Sequence, residues 1–308
     1  MKLNVRNVAG YCISLFYIST GMVKRATKLL VQKPVILSIS FHDPSQALFR
    51  ACIVWLKKNG FTFISNADLV LIANGQKEFP IGAVVVNVDD GWIGNKHNII
   101  PIVNELEIPV SIFINTDPVE YGDAYWWSYV NAANKSNICQ QKVVSLKRVK
   151  NSERNKVITQ IKSKIILKGE AMTVQDLCEI SKSKYITIGS HTVTHPILPM
   201  CSDEESLYEI RESKRKLESV LHNQVDHFAY PNGDFSLREV NYLKNSGYSL
   251  AFSTIPKYLT KENIIDRYTL PRFEMLEDAS FAENICRMTG IWFANNSFIN
   301  SKQGYSWV

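Results

Sequence analysis

The chain has 308 residues, 45% apolar and 21% charged, a globular composition long enough for one large domain or two ordinary ones. Its net charge of +6 is unevenly placed: Lys2, Arg6, Lys24, Arg25, Lys28 and Lys33 lie in the first 33 residues, which carry no Asp or Glu, and the remainder is neutral. A neutral body lacks the basic face that neutralises phosphates, which argues against a nucleic-acid reader and points the basic end at a membrane surface or a targeting machine.

Residues 1–33 form a leader of their own. Its stretch "VAGYCISLFYISTGMV", residues 8–23, is shorter than the roughly 18 to 20 residues that span a bilayer as a helix. An interfacial amphipathic anchor is the favoured reading. A removable signal, with Ser19-Thr20-Gly21 as a passable cleavage site, and an ordinary helix packed on the domain are the alternatives. The six cysteines include no C-x-x-C pair, and scattered thiols tilt the chain toward a reducing compartment.

From Pro34 onward the chain alternates. "VILSISF" reads as a strand ending at His42-Asp43, and "QALFRACIVWLKKNG" as a helix stopped by Gly60. "GAVVVNV" is the next strand and delivers Asp89-Asp90-Gly91; "NIIPIVNELEI" is a helix and "PVSIFIN" a strand. Residues 131–170 are polar, Lys-rich and free of strand signals, so they are expected to form a helical insertion. Its charge reads as a solvated face, with substrate steering by its lysines as the lesser alternative. "YITIGS" then delivers His191 and His195, "DEESLYEIRESKRKLESVL" is a periodic helix, and "HFAYP" and "YSLAFST" are strands with "LREVNYLKNSG" between them. Near-continuously apolar strands alternating with helices predict parallel pairing buried on both faces. With about seven strands, the α/β fold expected over residues 34–308 is a distorted (β/α)7-type barrel, in preference to an open doubly wound sheet.

In such barrels the active site is built where strands end. Adjacent carboxylates on an extended chain face opposite ways, so Asp89 and Asp90 can do different work, although a solvated turn is the plainer explanation of Asp-Asp-Gly alone. His191 and His195, four apart, are a stronger signal. Two histidines and a carboxylate form a familiar site for zinc or another divalent first-row metal, with room for water and a substrate oxygen. Trp126 and Trp127 in "DAYWWSYV" are either a sugar-stacking platform or wedges between insertion and barrel; the second is preferred.

"NVDDGW", "SHTVTH" and "FAYPNG" together resemble the motifs of the polysaccharide deacetylases of carbohydrate esterase family 4, the NodB homology domain, over residues 34–277. The resemblance implies that Asp89 is the catalytic base, and that Asp90, His191 and His195 hold one divalent metal, zinc first, with cobalt, nickel or iron as alternatives. It further implies that the amide of Asn232, after Pro231, polarises the acyl oxygen while Tyr230 lines the groove. Two departures stand out. Where the family often has an Arg before the third motif's proline this chain has Ala229, so the base's partner is sought at Arg272 in "LPRF", with a structural salt bridge as the alternative. No histidine follows His227 to serve as general acid. In the poly-N-acetylglucosamine deacetylase branch that motif moves to the first strand, and "SISFHD" matches, which assigns the acid to His42; the alternative is a histidine bonded to the turn at Pro44.

The function implied is metal-dependent removal of N-acetyl groups from amino sugars of a bacterial surface polysaccharide or its lipid-linked precursor. The alternatives are an amidohydrolase on a small non-sugar amide and a non-catalytic glycan-binding barrel. Expected partners are the acetylated glycan and, through residues 1–33, a membrane surface, with no nucleic acid. The cytoplasmic membrane surface is the favoured location, and export to the periplasm the alternative.

Overall fold

In the computed structural model, which describes residues 4–295, seven parallel strands curl in the order β7-β6-β5-β4-β3-β1-β8. They are β1 (Ile36–Phe41), β3 (Ala83–Val88), β4 (Val110–Ile114), β5 (Ile186–Ser190), β6 (His227–Ala229), β7 (Leu250–Phe252) and β8 (Phe273–Glu274), and a two-residue β2 (Thr62–Phe63) runs beside the start of β3. The ends of the sheet meet across the segment before β8. Leu270 bridges Phe252 in parallel, Ser253 N–H donates to Leu270 O, and Phe273 then pairs with Ile39. This is the curled α/β barrel that the alternation predicts.

Every residue of β1, β3 and β4 is buried, because helices cover the outer face and side chains fill the inside. Helix Gln46–Lys58 starts where Ser45 Oγ accepts from Leu48 N–H, and lays Phe49, Cys52, Ile53 and Leu56 against the sheet. Register sets the rim: Phe41 lies opposite Val88 and Ile114 opposite Ser190. The residues that follow, His42 beside Asp89 and Asn115 beside His191, therefore leave the barrel at matched heights.

The insertion between β4 and β5 is helical, with Trp126–Lys135, Val143–Leu146 and Asn151–Lys162 closing over a small core of their own that includes Trp126, Val130, Leu146 and Ile158. The leader is folded as well. Helices Val5–Ser19 and Met22–Leu30 send Tyr17, Val23 and Leu30 into the core shared with β1 and β3. Arg6 Nη1 reaches buried Glu283 Oε2 at 3.0 Å, and Gly10 lies so close to that carboxylate that a Cβ would collide with it. The opposite face of Val5–Ser19 remains apolar and outward, with Phe16 60% exposed. Among the described residues no helix is long and apolar enough to cross a membrane. All six cysteines are unpaired. Residues 1–3 of the expected leader and 296–308 of the expected barrel domain lie outside the described residues.

Candidate active site

The strand ends converge on a cavity of about 420 Å³ that is lined by His42, Asp89, Asp90, His191, His195 and Asn232 among others. Asp89 continues the β3 ladder, its N–H donating to Phe41 O at 2.8 Å. Asp90 and Gly91 then turn with positive φ (75° and 81°), which swings the two carboxylates apart. The glycine is required twice over: a Cβ there would meet Ile114 Cδ1 at 2.7 Å, and its φ disfavours any other residue.

Asp89 is buried and gripped from one side. Arg272 Nη1 and Nη2 donate to its two oxygens at 2.8 Å each, Arg272 Nε donates to Ser253 O at 3.0 Å, and the guanidinium is flanked by the rings of Phe113 and Phe252. Burial alone would raise the Asp89 pKa, but the charge of Arg272, helped by His191 and His42, outweighs it and holds the carboxyl below its ordinary value. Arg272 lies just before β8, two strands from β3, and has no exposed surface. It is the buried ion-pair partner of Asp89 in a chain that has Ala229 before the third motif's proline.

Asp90 Oδ1 stands 3.5 Å from both His191 Nε2 and His195 Nε2. Metal–nitrogen and metal–oxygen bonds of 2.0–2.2 Å in tetrahedral geometry put ligand atoms roughly 3.3–3.6 Å apart, so the three residues fit one divalent ion. His191 Nδ1 lies 2.7 Å from Ala229 O, which fixes the tautomer and leaves Nε2 its lone pair. Burial lowers the pKa of both histidines, His195 well below its usual value, and keeps them in the neutral form that ligates. Trp92 Nε1 and Asn115 Nδ2 donate to the Asp90 oxygens at 3.0 and 3.3 Å.

The loop carrying His195 is strained and over-determined. Thr192 has φ 72°, unusual for a β-branched residue, and His195 has φ 55°. Buried Glu209 holds the loop by accepting from Val193 N–H and Thr194 N–H at 2.8 and 2.9 Å and from Thr194 Oγ1 at 2.6 Å. From the insertion, Trp126 Nε1 and Arg154 Nη1 both donate to His195 O at 3.1 Å.

The His42 side chain is one-third exposed in the cavity, with Nδ1 3.9 Å from Glu274 and from Glu277, while the His42 backbone N–H donates to Glu277 Oε1 at 2.8 Å. Desolvation opposes its protonation, but Asp90, Glu277, Glu274 and Asp89 outweigh this and raise its pKa to about 9. Of the tryptophan pair, Trp127 lines the cavity, stacked on Tyr125 with centroids 4.7 Å apart and edge-on to His195. Trp126 does not, because neighbouring residues on a helix point about 100° apart and its ring goes into the insertion core. Tyr230, expected in the groove, is instead fully buried with its OH donating to Tyr268 O at 3.0 Å: β6 ends at Ala229, so Tyr230 still faces the packed side. Pro231 is buried and Asn232, at φ 60°, reaches the cavity. Trp92, Glu274 and Lys147 also line the cavity and carried no sequence signal of their own beyond the W that follows Asp-Asp-Gly.

A buried carboxylate–guanidinium pair thus stands beside a two-histidine, one-carboxylate cluster of metal-ligating side chains at the rim of a parallel barrel. Residues 76–251, more than half of the chain, match the family model described as polysaccharide deacetylase, and the chain belongs to that family. Among curated proteins, YxkH of Bacillus subtilis (strain 168), named for the same family, is 19% identical over 208 residues, 68% of this chain. The chain spans 57% of that relative's length. Among solved structures, deacetylase PplD of Streptococcus pyogenes is 17% identical with a TM-score of 0.61, covering 83% of this chain and 98% of its own. IcaB from Ammonifex degensii is 16% identical with a TM-score of 0.61, over 84% and 98%. A de-N-acetylase from Aggregatibacter actinomycetemcomitans is 16% identical with a TM-score of 0.58, over 81% and 98%. At these identities the likeness to the solved structures is one of fold.

Proposed function

We propose that the chain is a metal-dependent hydrolase that removes N-acetyl groups from amino sugars of a bacterial glycan or its lipid-linked precursor. The observation that carries this reading is the bidentate Asp89–Arg272 pair opening onto the same cavity as Asp90, His191 and His195. A glycan-binding barrel has no use for a carboxylate held ionised beside a metal site, and a fold shared with deacetylases supports the acyl chemistry. A divalent metal held by Asp90, His191 and His195 would supply Lewis-acid chemistry, acidifying water and polarising a carbonyl. Asp89 takes the proton of the attacking water, and Arg272 keeps that carboxylate ionised and aimed. The Asn232 N–H donates to the acyl oxygen as negative charge grows on it. His42, protonated among its carboxylates, gives a proton to the departing amine. Trp127 offers an aromatic face to the sugar ring. The test is acetate release from N-acetylglucosamine oligomers by metal-loaded protein; Asp89→Asn hydrolysing them as fast as the unaltered chain would refute the reading. A panel of small non-sugar amides tests the amidohydrolase alternative alongside.

The same reading extends to the membrane. Val5, Val8, Tyr11, Leu15 and Phe16 face outward from the first helix, beside exposed Lys24, Arg25 and Lys28. An apolar face rimmed by cations suits the surface of an anionic bilayer, where a lipid-linked sugar would be met. Sedimentation with phosphatidylglycerol vesicles, lost in Leu15→Glu/Phe16→Glu, is the expected result; equal sedimentation of both proteins would discard this contact.

A further inference from the structure

The helical insertion places one cation in the active-site cavity. Lys147 follows the short helix Val143–Leu146, whose Leu146 is buried in the insertion core, and its side chain crosses to the loop after β6. There Nζ donates to Asn232 Oδ1 at 2.6 Å, while Asn232 Nδ2 donates to Asp234 Oδ2 at 2.5 Å. An ammonium has three donors, and only this one is spent, on a neutral oxygen.

Two other cations of the insertion are committed elsewhere: Lys162 pairs with Asp123, and Arg154 donates to His195 O and to Asn151 Oδ1. Among the described residues no carboxylate lies within ion-pair distance of Lys147, although Glu274, Asp234 and Asp90 are near enough to be felt. Burial disfavours its charged form, those three carboxylates favour it, and the balance leaves its pKa below the ordinary value. A partly desolvated ammonium without a counter-ion is costly unless an anion arrives to complete it. Lysine serves as a compact point charge for phosphate and carboxylate alike.

We propose that Lys147 forms a subsite for an oxyanion, a phosphate or carboxylate carried by the acetamido sugar or its immediate neighbour, so that the preferred substrate is an acidic glycan or a sugar phosphate. The inference rests on the deacetylase reading and sharpens it. Its location follows from Asn232, which holds Lys147 through its side chain and faces the acyl oxygen through its backbone: the anion and the acetyl group lie on opposite sides of one residue.

The experiment uses full-length, metal-loaded protein and its Lys147→Met and Lys147→Arg variants, with N-acetylglucosamine 1-phosphate, an N-acetylglucosaminyl uronic acid disaccharide and neutral N-acetylglucosamine oligomers as substrates. Binding of the same sugars and of inorganic phosphate is measured by calorimetry on the Asp89→Asn protein. Losing one partner of a desolvated charge pair is expected to raise KM for an anionic substrate about tenfold or more beyond any change for the neutral oligomer, with Lys147→Arg recovering part of the difference. The two anionic sugars separate phosphate from carboxylate. Equal losses on charged and neutral substrates would reduce Lys147 to a support for Asn232 and overturn the proposal. So would inorganic phosphate binding as tightly as the sugar phosphate, since the anion would then be free in solution. Absence of acetate release from every substrate would count against the deacetylase reading, and the calorimetry would still decide the subsite: selective, Lys147-dependent binding of anionic sugars keeps it, and indifference to charge removes it.

Discussion

Replacing Arg272 with methionine tests the centre of the site. The side chain has no exposed surface, bonds both oxygens of Asp89, and sits between Phe113 and Phe252, where a thioether of similar length keeps much of the apolar packing. What is lost is the counter-charge, and breaking a buried pair from one side costs about 3–5 kcal/mol. Asp89→Asn breaks it from the other side and strands the guanidinium. The double variant removes both charges, so it is expected to recover about 1–3 kcal/mol relative to the sum of the single losses. Urea unfolding at neutral pH, followed by tryptophan fluorescence on metal-stripped protein, measures all four corners, and Arg272→Lys gives a milder corner should methionine prevent folding. The pH dependence has a definite sign. Because the folded pKa of Asp89 is depressed, its contribution is present above the unfolded value near ~3.9 and is lost as pH falls through the folded value. The advantage of the unaltered chain over Asp89→Asn is therefore full at neutral pH and fades in acid. Strictly additive losses in the double variant would refute the view that these two charges stabilise each other.

His42 is raised to about 9 before metal binds, and a bound cation nearby would lower it. A general acid must carry its proton, so the rate is expected to hold through neutral pH and fall as pH rises through the His42 pKa; His42→Gln should lose about 10²–10⁴-fold and the alkaline limb with it. A limb that survives the substitution would identify another acid. Protein purified without chelator is expected to carry close to one divalent ion, lost in an Asp90→Ala/His191→Ala/His195→Ala variant by elemental analysis; full metal in that variant would remove these residues as ligands. Glu209→Gln should weaken zinc affinity about 10–100-fold, because the carboxylate shapes the loop that aims His195. Unchanged affinity in a zinc titration would show that the loop holds its shape without it.

What was legible in the sequence were the features written in local pattern. The apolar strands β1, β3, β4 and β5 stand where their β-branched runs predict, and β1, β3 and β5 end on the residues expected at the rim. The short β2 and β8 were not legible, since two residues carry no period and pair only because neighbouring strands hold them in register. Tyr230 shows the limit of assigning side chains from a motif: a neighbour along the chain can face the core, and the direction depends on where the strand stops. Lys147 was beyond reach for a different reason. It lies in a Lys-rich insertion whose lysines read first as solvated and only second as steering substrate, with nothing in the sequence to single one out, and only the fold of that insertion brings this one over the cavity.

The placement of His42 and Arg272 follows from closing the barrel. Positions 42, 89 and 272 are far apart in sequence, yet they belong to β1, β3 and the approach to β8, which are successive strands of the sheet. Phe41 pairs with Val88, so His42 and Asp89 emerge at the same height, and Ile39 pairs with Phe273, so the segment before β8 passes beneath Asp89 on its way in. The segment is also what ties β7 to β1, through Leu270 and Phe252. Arg272 is thus carried by the stretch that closes the barrel, and a change that loosens the closure should misplace it before it disturbs Asp90, His191 or His195. The partner of the Asp89 carboxylate can consequently come from any strand end that the closed sheet brings beside it, and here, with Ala229 at the end of β6, it comes from the approach to β8.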